Sequence, residues 1–193
     1  MTEVLLRLRH GSQLYGTAHA GSDEDWYEVV VGEPSGNPWT TRYGLSEQLL
    51  DGREDVVRKD LGQWVREFQA GVPQAAEAAW APDDAVEVDL IRPFRLGLRL
   101  GSDGWTRHRR AMRNFASGYW DGGDASGTLG YAMKRARHAV RLARNMDQLG
   151  RRGMYDPRLR PEEWEACKRV ADNLSWGDEL LQTCDWIALG GAR

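Results

Sequence analysis

The chain has 193 residues, enough for one large domain or two small ones, and its formal net charge of −3 excludes a strongly basic nucleic-acid binder. No apolar run is long enough to span a membrane, and charged side chains interrupt residues 1–10, so a signal peptide is not expected. Cys167 and Cys184 lack the spacing of metal ligands and indicate a reduced protein. We therefore expect a cytoplasmic protein without a membrane partner.

Two predicted strands flank a loop of small residues at the start of the chain. Apolar residues alternate over residues 4–8 and predict the first strand, which ends at Gly11. Residues 14–21 predict a turn with room for one short helical turn. Residues 25–31 are rich in β-branched and aromatic side chains and predict the second strand. Residues 39–52 have no clear period and are expected to form a loop, which could fold over a bound ligand.

The next segment alternates between strands and helices. Residues 55–59 predict a third, short strand. Asp60 is the predicted N-cap of an amphipathic helix, whose apolar residues recur at helical spacing as far as Phe68. Pro73 predicts the first residue of a second helix. Residues 86–91 alternate weakly and are compatible with a strand or an extended connection.

The pattern becomes helical from Gly101 onward. The clearest helix begins near residue 129, where apolar residues form one stripe and Lys134, His138 and Arg141 fall on another face. A strand-rich part followed by a helical part predicts an α+β fold. We place the division between residues 1–98 and residues 99–193, although the two parts could share one core.

The loop between the first two strands carries residues suited to a phosphate and a metal ion. Asp23 and Asp25 stand two positions apart, so on a strand their carboxylates lie on one face. Two like charges so close are unfavourable unless a cation neutralises them, and Mg²⁺ binds carboxylate oxygens together with substrate phosphates. Gly11 and Ser12 can offer backbone N–H groups and a hydroxyl to a phosphate. The pattern therefore predicts a nucleotidyl-transfer site.

A site with two metal ions needs a third carboxylate. In such sites one ion binds the triphosphate and the leaving group, and the other lowers the pKa of the attacking hydroxyl. Asp55, at the start of the third predicted strand, is the expected third ligand and general base, and Asp89 and Glu54 are the alternatives. The competing interpretation is that each aspartate at a strand start is a turn or capping residue.

These residues resemble the signature of a known enzyme superfamily. Gly11-Ser12 followed by Asp23-Glu24-Asp25 is similar to the motif of the nucleotidyltransferases that share their palm domain with DNA polymerase β. More specifically, the chain is similar to predicted nucleotidyltransferases of bacteria and phages. That likeness runs in order through most of the chain, at residues 11–16, 22–25 and 55–64, Gly71-Val72-Pro73 with Glu77, Trp80-Ala81-Pro82, and residues 134–142.

The resemblance implies a fold and a set of roles. Residues 1–98 would be a palm domain with a mixed β-sheet, and residues 99–193 would be a helical domain. Gly11 and Ser12 would contact the triphosphate. The metal ligands and catalytic residues would be Asp23, Asp25 and Asp55, with two Mg²⁺ ions.

The same resemblance assigns a role to the basic helix. Lys134, His138 and Arg141 match the family's basic helix and would face the cleft and neutralise nucleotide phosphate. The alternative is that this face is a solvated basic stripe. Weaker phosphate candidates are Arg42, Arg58 and Lys59.

Three functions remain open from the sequence. The first is a Mg²⁺-dependent enzyme that moves a nucleoside monophosphate from an NTP to an acceptor hydroxyl on a small molecule, a protein or an RNA end, and releases pyrophosphate. The second is a nucleotide-binding regulatory or toxin–antitoxin module that acts through a partner protein with little turnover. The third is a metal-dependent phosphohydrolase, which normally needs more histidine ligands than this chain offers. The complete set of three aspartates favours the enzyme, and the negative net charge disfavours a long nucleic-acid acceptor.

Overall fold

A computed structural model describes residues 2–31, 46–51, 54–117, 129–174 and 178–191. The chain forms two compact units. The first comprises Met1–Leu98 and Asp156–Leu159, and the second comprises Arg99–Tyr155 and Arg160–Arg193. Within the described residues, none of the helices combines the length and the apolar composition that a membrane span requires.

The first unit is built on a mixed β-sheet. In the described part of the chain the strands are β1 (Glu3–Arg9), β2 (Glu24–Val31), β3 (Ser46–Asp51), β4 (Glu54–Asp60) and β5 (Val86–Asp89). Their order across the sheet is β3-β4-β2-β1-β5, in which β2 and β4 are parallel and the other neighbours are antiparallel. The predicted α+β class is confirmed, and so are the strands predicted at residues 4–8, 25–31 and 55–59.

Strand β3 corrects one prediction. Residues 39–52 were expected to form a loop, but Ser46–Asp51 pairs along β4 with Asp51 opposite Glu54. The segment has no regular alternation of apolar and polar residues, so its strand conformation comes from backbone pairing with its neighbour and not from a local pattern. Asp55 consequently lies on the fourth strand and not on the third. Residues 39–45 and 52 lie outside the described residues.

Helices follow the strands at positions that local signals mostly predict. The helices of this unit are α1 (Gly11–Tyr15), α2 (Leu61–Gln69), α3 (Pro73–Ala79) and α4 (Arg92–Gly97). The Asp60 cap is confirmed, because its side chain accepts a hydrogen bond from the Gln63 N–H at 2.8 Å. Helix α1 begins three residues before the predicted turn, at Gly11 itself.

One face of the sheet packs against helices. Leu6 and Leu8 of β1 stand opposite Val29 and Tyr27 of β2, and all four side chains are buried. Helix α2 adds the buried Trp64, whose indole N–H donates to the Ala75 carbonyl at 3.1 Å and so connects α2 to α3. This helix-covered face forms the core of the first unit.

The opposite face carries a shared ion pair that fixes the strand register. Glu28 of β2 is aligned with Arg7 of β1 and with Arg58 of β4. Its carboxylate lies 3.2 Å from the Arg7 guanidinium and 2.8 Å from Arg58 Nε. The Glu28 side chain is only 3% exposed, so these two arginines are what compensates its burial. The alignment of Glu28 with Arg58 belongs to the same register that pairs the starts of β2 and β4.

In the second unit, the described helices are α5 (Ser102–Ser117), α6 (Leu129–Arg152), α7 (Pro161–Asn173) and α8 (Asp178–Ala188). The apolar stripe predicted for α6 is confirmed where its side chains are described, since Ala136, Ala139, Val140 and Ala143 are all buried. Cys167 and Cys184 are free and buried, and burial together with nearby Asp185 raises the pKa of the Cys184 thiol to about 12.

We expect Glu28→Gln to lower the free energy of unfolding by about 2 kcal/mol, because Arg7 and Arg58 lose their shared charge partner in a largely buried setting. Urea unfolding followed by tryptophan fluorescence measures this loss. Glu87→Gln is the matched control, because Glu87 also contacts Arg7 but its side chain is 56% exposed. Equal losses in the two variants would contradict the role given to Glu28.

Candidate functional site

Gly11 approaches the carboxylate of Asp25 so closely that no larger residue fits. Its backbone has a φ of +57°, in the left-handed region. A Cβ placed on Gly11 would lie 2.0 Å from Asp25 Oδ2. The neighbouring His10 N–H donates to the Asp25 backbone carbonyl at 2.7 Å, which holds the end of β1 beside the start of β2. The Gly-Ser turn and the second aspartate of the sequence motif therefore meet in the fold.

Asp25 and Asp55 lie side by side on neighbouring strands. They are direct register partners at the starts of the parallel strands β2 and β4. Parallel neighbours are about 4.8 Å apart, and aligned residues point to the same face. Alternation places both carboxylates on the face of Tyr27 and Val57, which is the helix-covered face. The two strands thus present a pair of half-buried carboxylates at the end of the sheet where both strands begin.

Asp23 stands apart from this pair. It precedes β2 and is exposed, so strand alternation does not fix its direction. Among the described residues, no three His, Cys, Asp or Glu side chains are grouped closely enough to hold a metal ion. Asp25 and Asp55 are the predicted ligands that the fold brings together, and the complete set with Asp23 stays a prediction.

Ser12 follows Gly11 in α1. Its carbonyl accepts a hydrogen bond from the Thr17 N–H at 2.9 Å, which fixes the backbone of the turn. Its half-buried side chain donates no hydrogen bond to another described residue. The hydroxyl is therefore placed beside Gly11 without a structural role in this part of the chain.

The alternatives to Asp55 are less suited to the site. Asp89 lies on β5, two strands away from β2, and its carboxylate is 2.6 Å from the fully buried Arg95 guanidinium. That ion pair gives Asp89 a structural role. The side chain of Glu54 lies outside the described residues.

The weaker phosphate candidates of the first unit are in ion pairs. Arg58 contacts Glu28, as described above, and Lys59 Nζ lies 3.0 Å from Glu67 Oε1. Both pairs join elements of the first unit and account for these positive charges. Arg42 lies outside the described residues.

The predicted basic face of α6 belongs to the second unit. Lys134 is exposed and His138 is half-buried, with its ring 5.8 Å from that of Trp164. Arg141 is only 4% exposed, so a wholly solvated stripe is the wrong description of this face. Arg141 Nε donates to His138 Nδ1 at 3.4 Å. Nucleotide binding by Lys134, His138 and Arg141 stays a prediction.

No protein-family model matches the chain, and no curated protein matches its sequence significantly. The nucleotidyltransferase relationship is therefore a hypothesis that depends on the residues themselves.

A cluster of buried polar residues near the candidate site was not predicted from the sequence. We call His10, Tyr15, Tyr27 and Glu77 the buried polar cluster, since each is buried in the first unit. Tyr15 Oη donates to Glu77 Oε2 at 2.8 Å, and His10 Nε2 lies 3.7 Å from the same oxygen. The Tyr27 ring is 5.5 Å from that of His10. Burial, with further contributions from Glu67 and Glu77, raises the pKa of the Tyr27 hydroxyl.

One sequence signal pointed to this cluster. Glu77 interrupts a run of alanines, Ala75-Ala76-Glu77-Ala78-Ala79, and every residue of that run is buried. A carboxylate at the centre of an otherwise apolar helix is costly unless it has partners. The pattern identifies Glu77 as unusual, but its partners are visible only in the fold.

We expect Gly11→Ala to destabilise the protein by about 2 kcal/mol, because the new methyl group would overlap Asp25 and the left-handed backbone disfavours alanine. Thermal unfolding measures the effect. Gly97→Ala is the matched control, since a Cβ at Gly97 meets no described atom within 4 Å. A Gly11→Ala protein as stable as the Gly97→Ala protein would contradict the steric role given to Gly11.

Proposed function

We propose that the first unit is the catalytic palm of a Mg²⁺-dependent nucleotidyltransferase related to the DNA polymerase β superfamily. The observation that supports this proposal is the convergence of three motif residues that are distant in sequence. Gly11 lies against Asp25, and Asp25 is in register with Asp55. The reaction would transfer a nucleoside monophosphate from an NTP to an acceptor hydroxyl and release pyrophosphate.

The residues at the starts of β2 and β4 fit a magnesium ion. Asp25 and Asp55 supply hard carboxylate oxygens from adjacent strands, and their mutual repulsion favours a bound cation. Because Gly11 has no side chain, the Gly11-Ser12 backbone lies directly against Asp25, where a Cβ would be 2.0 Å from Oδ2. Asp23 would complete the ligand set from the segment before β2. When bound, Mg²⁺ would supply charge neutralisation of the triphosphate and a lower pKa for the attacking hydroxyl.

The protein's own groups would perform the remaining tasks. The backbone and hydroxyl of Gly11-Ser12 would hold the triphosphate and align its α-phosphate. The acceptor oxygen would attack the α-phosphorus, and the bond from that phosphorus to the bridging oxygen of pyrophosphate would break. Asp55 would accept the proton that the acceptor hydroxyl loses.

The acceptor class is narrowed by charge. A net charge of −3 gives no broad basic surface for a long nucleic acid, so we favour a small molecule, a protein side chain or an RNA end. The two free, buried cysteines accord with a reducing compartment such as the cytoplasm.

We expect Asp25→Asn and Asp55→Asn each to lower Mg²⁺-dependent NTP turnover by at least about a hundredfold, because each removes a metal ligand or the proton acceptor. The assay incubates each α-labelled NTP with Mg²⁺ and host lysate and identifies the labelled product. Asp23→Asn, assayed in parallel, decides whether the third aspartate belongs to the site.

Asp103→Asn is the control, because Asp103 is an exposed aspartate of α5 in the other unit and should not alter turnover. Wild-type activity in both Asp25→Asn and Asp55→Asn would refute the proposed function. NTP binding by the wild-type protein without any turnover would instead identify a regulatory module.

A further inference from the structure

We propose that Glu77 is a positioning residue that fixes the Gly11-Ser12 turn against Asp25, and that it acts through Tyr15 and His10. This inference rests on the proposed function, because it concerns the turn that would bind the triphosphate. It assigns a task to a buried acid that the proposed chemistry does not use.

Glu77 contacts the residues on both sides of the turn. Tyr15, the last residue of α1, donates its hydroxyl to Glu77 Oε2 at 2.8 Å. His10, the residue just before α1, places its Nε2 3.7 Å from the same oxygen. One carboxylate oxygen therefore accepts a hydrogen bond from the last residue of α1 and lies close to the residue that precedes α1.

His10 also connects the turn to the start of β2, where the proposed metal ion would bind. Its backbone N–H donates to the Asp25 carbonyl at 2.7 Å, while its side chain faces Glu77. A displacement of His10 would move Gly11 relative to Asp25 Oδ2, where the spacing leaves room only for glycine. We therefore expect the position of the turn to depend on the contacts of Glu77 with Tyr15 and His10.

Glu77 is itself held by a rigid element. It is fully buried on α3, whose Ala75 carbonyl accepts the Trp64 indole N–H at 3.1 Å. The alanines on either side of it are buried as well, so this part of α3 is enclosed in the core of the first unit. A buried carboxylate is expensive to desolvate, and an apolar residue of similar volume often stabilises a core equally well. Stability alone therefore does not explain a carboxylate at this position.

The test separates positioning from catalysis. We expect Tyr15→Phe and Glu77→Leu each to raise the KM for Mg²⁺-NTP about tenfold while kcat changes by less than about threefold, since both remove one hydrogen bond that orients the binding turn. Glu77→Gln keeps an acceptor oxygen for Tyr15 and should restore the KM to within about threefold of wild type.

Tyr27→Phe is the matched control. It removes a buried tyrosine hydroxyl of the same cluster that bonds to no described residue, so the KM should not change. Hydrogen exchange at residues 10–16 gives a readout that does not require activity. Exchange there should accelerate in Tyr15→Phe and Glu77→Leu, and stay as in wild type in Glu77→Gln and Tyr27→Phe.

The outcomes distinguish the two proposals. If the wild-type protein neither binds nor turns over an NTP, the proposed function is wrong, and hydrogen exchange alone decides whether Glu77 holds the turn. If the wild-type protein is active but Tyr15→Phe changes neither the KM nor the exchange at residues 10–16, the positioning role is wrong. A similar loss of kcat in all four variants, Tyr27→Phe included, would also overturn it, because general damage to the core would then explain the effects.

Discussion

The parallel pairing of β2 with β4 is the constraint on which the candidate site depends. It alone places Asp25 beside Asp55, although the two are thirty positions apart in the chain. A slip of one residue would turn one carboxylate to the opposite face of the sheet. Glu28 opposes such a slip, because its buried carboxylate is aligned with Arg58 in the same register and would lose that partner. An ion pair on one face of the sheet thus fixes the carboxylate pair on the other.

Two groups of polar side chains lie near the Gly11-Ser12 turn, and they differ in how deeply they are buried. The first group is the half-buried pair of Asp25 and Asp55, whose like charges favour a cation. The second group is the buried polar cluster, where Glu77 accepts a hydrogen bond from Tyr15 and faces His10. The Gly11-Ser12 turn is adjacent to both groups, because Gly11 lies against Asp25, and His10 and Tyr15 flank the turn in the chain. Under the proposed function, this arrangement would position the turn before substrate binds, which favours catalysis.

Local signals in the sequence predicted much of this fold. Alternation identified β1, β-branched and aromatic composition identified β2, and the Asp60 cap placed α2, because these features depend on neighbouring residues only. Strand β3 was missed because backbone pairing, not its own pattern, makes it a strand. The Gly-Ser turn and the aspartates were recognised as a motif, but the contact of Tyr15 with Glu77 joins residues 62 positions apart and leaves no periodic trace. The burial of Arg141 excludes the alternative of a wholly solvated stripe, and the helical period alone could not show it, because burial depends on packing against other elements.

A crystal structure of the protein with Mn²⁺ and an NTP analogue that cannot be cleaved at the α-phosphate tests the central claim most directly. Manganese substitutes for magnesium at carboxylate sites and is located by its anomalous scattering. The proposed function predicts a manganese peak bound by both Asp25 and Asp55, with the triphosphate against the Gly11-Ser12 turn. A nucleotide bound elsewhere, or a metal ion that contacts neither aspartate, would contradict it.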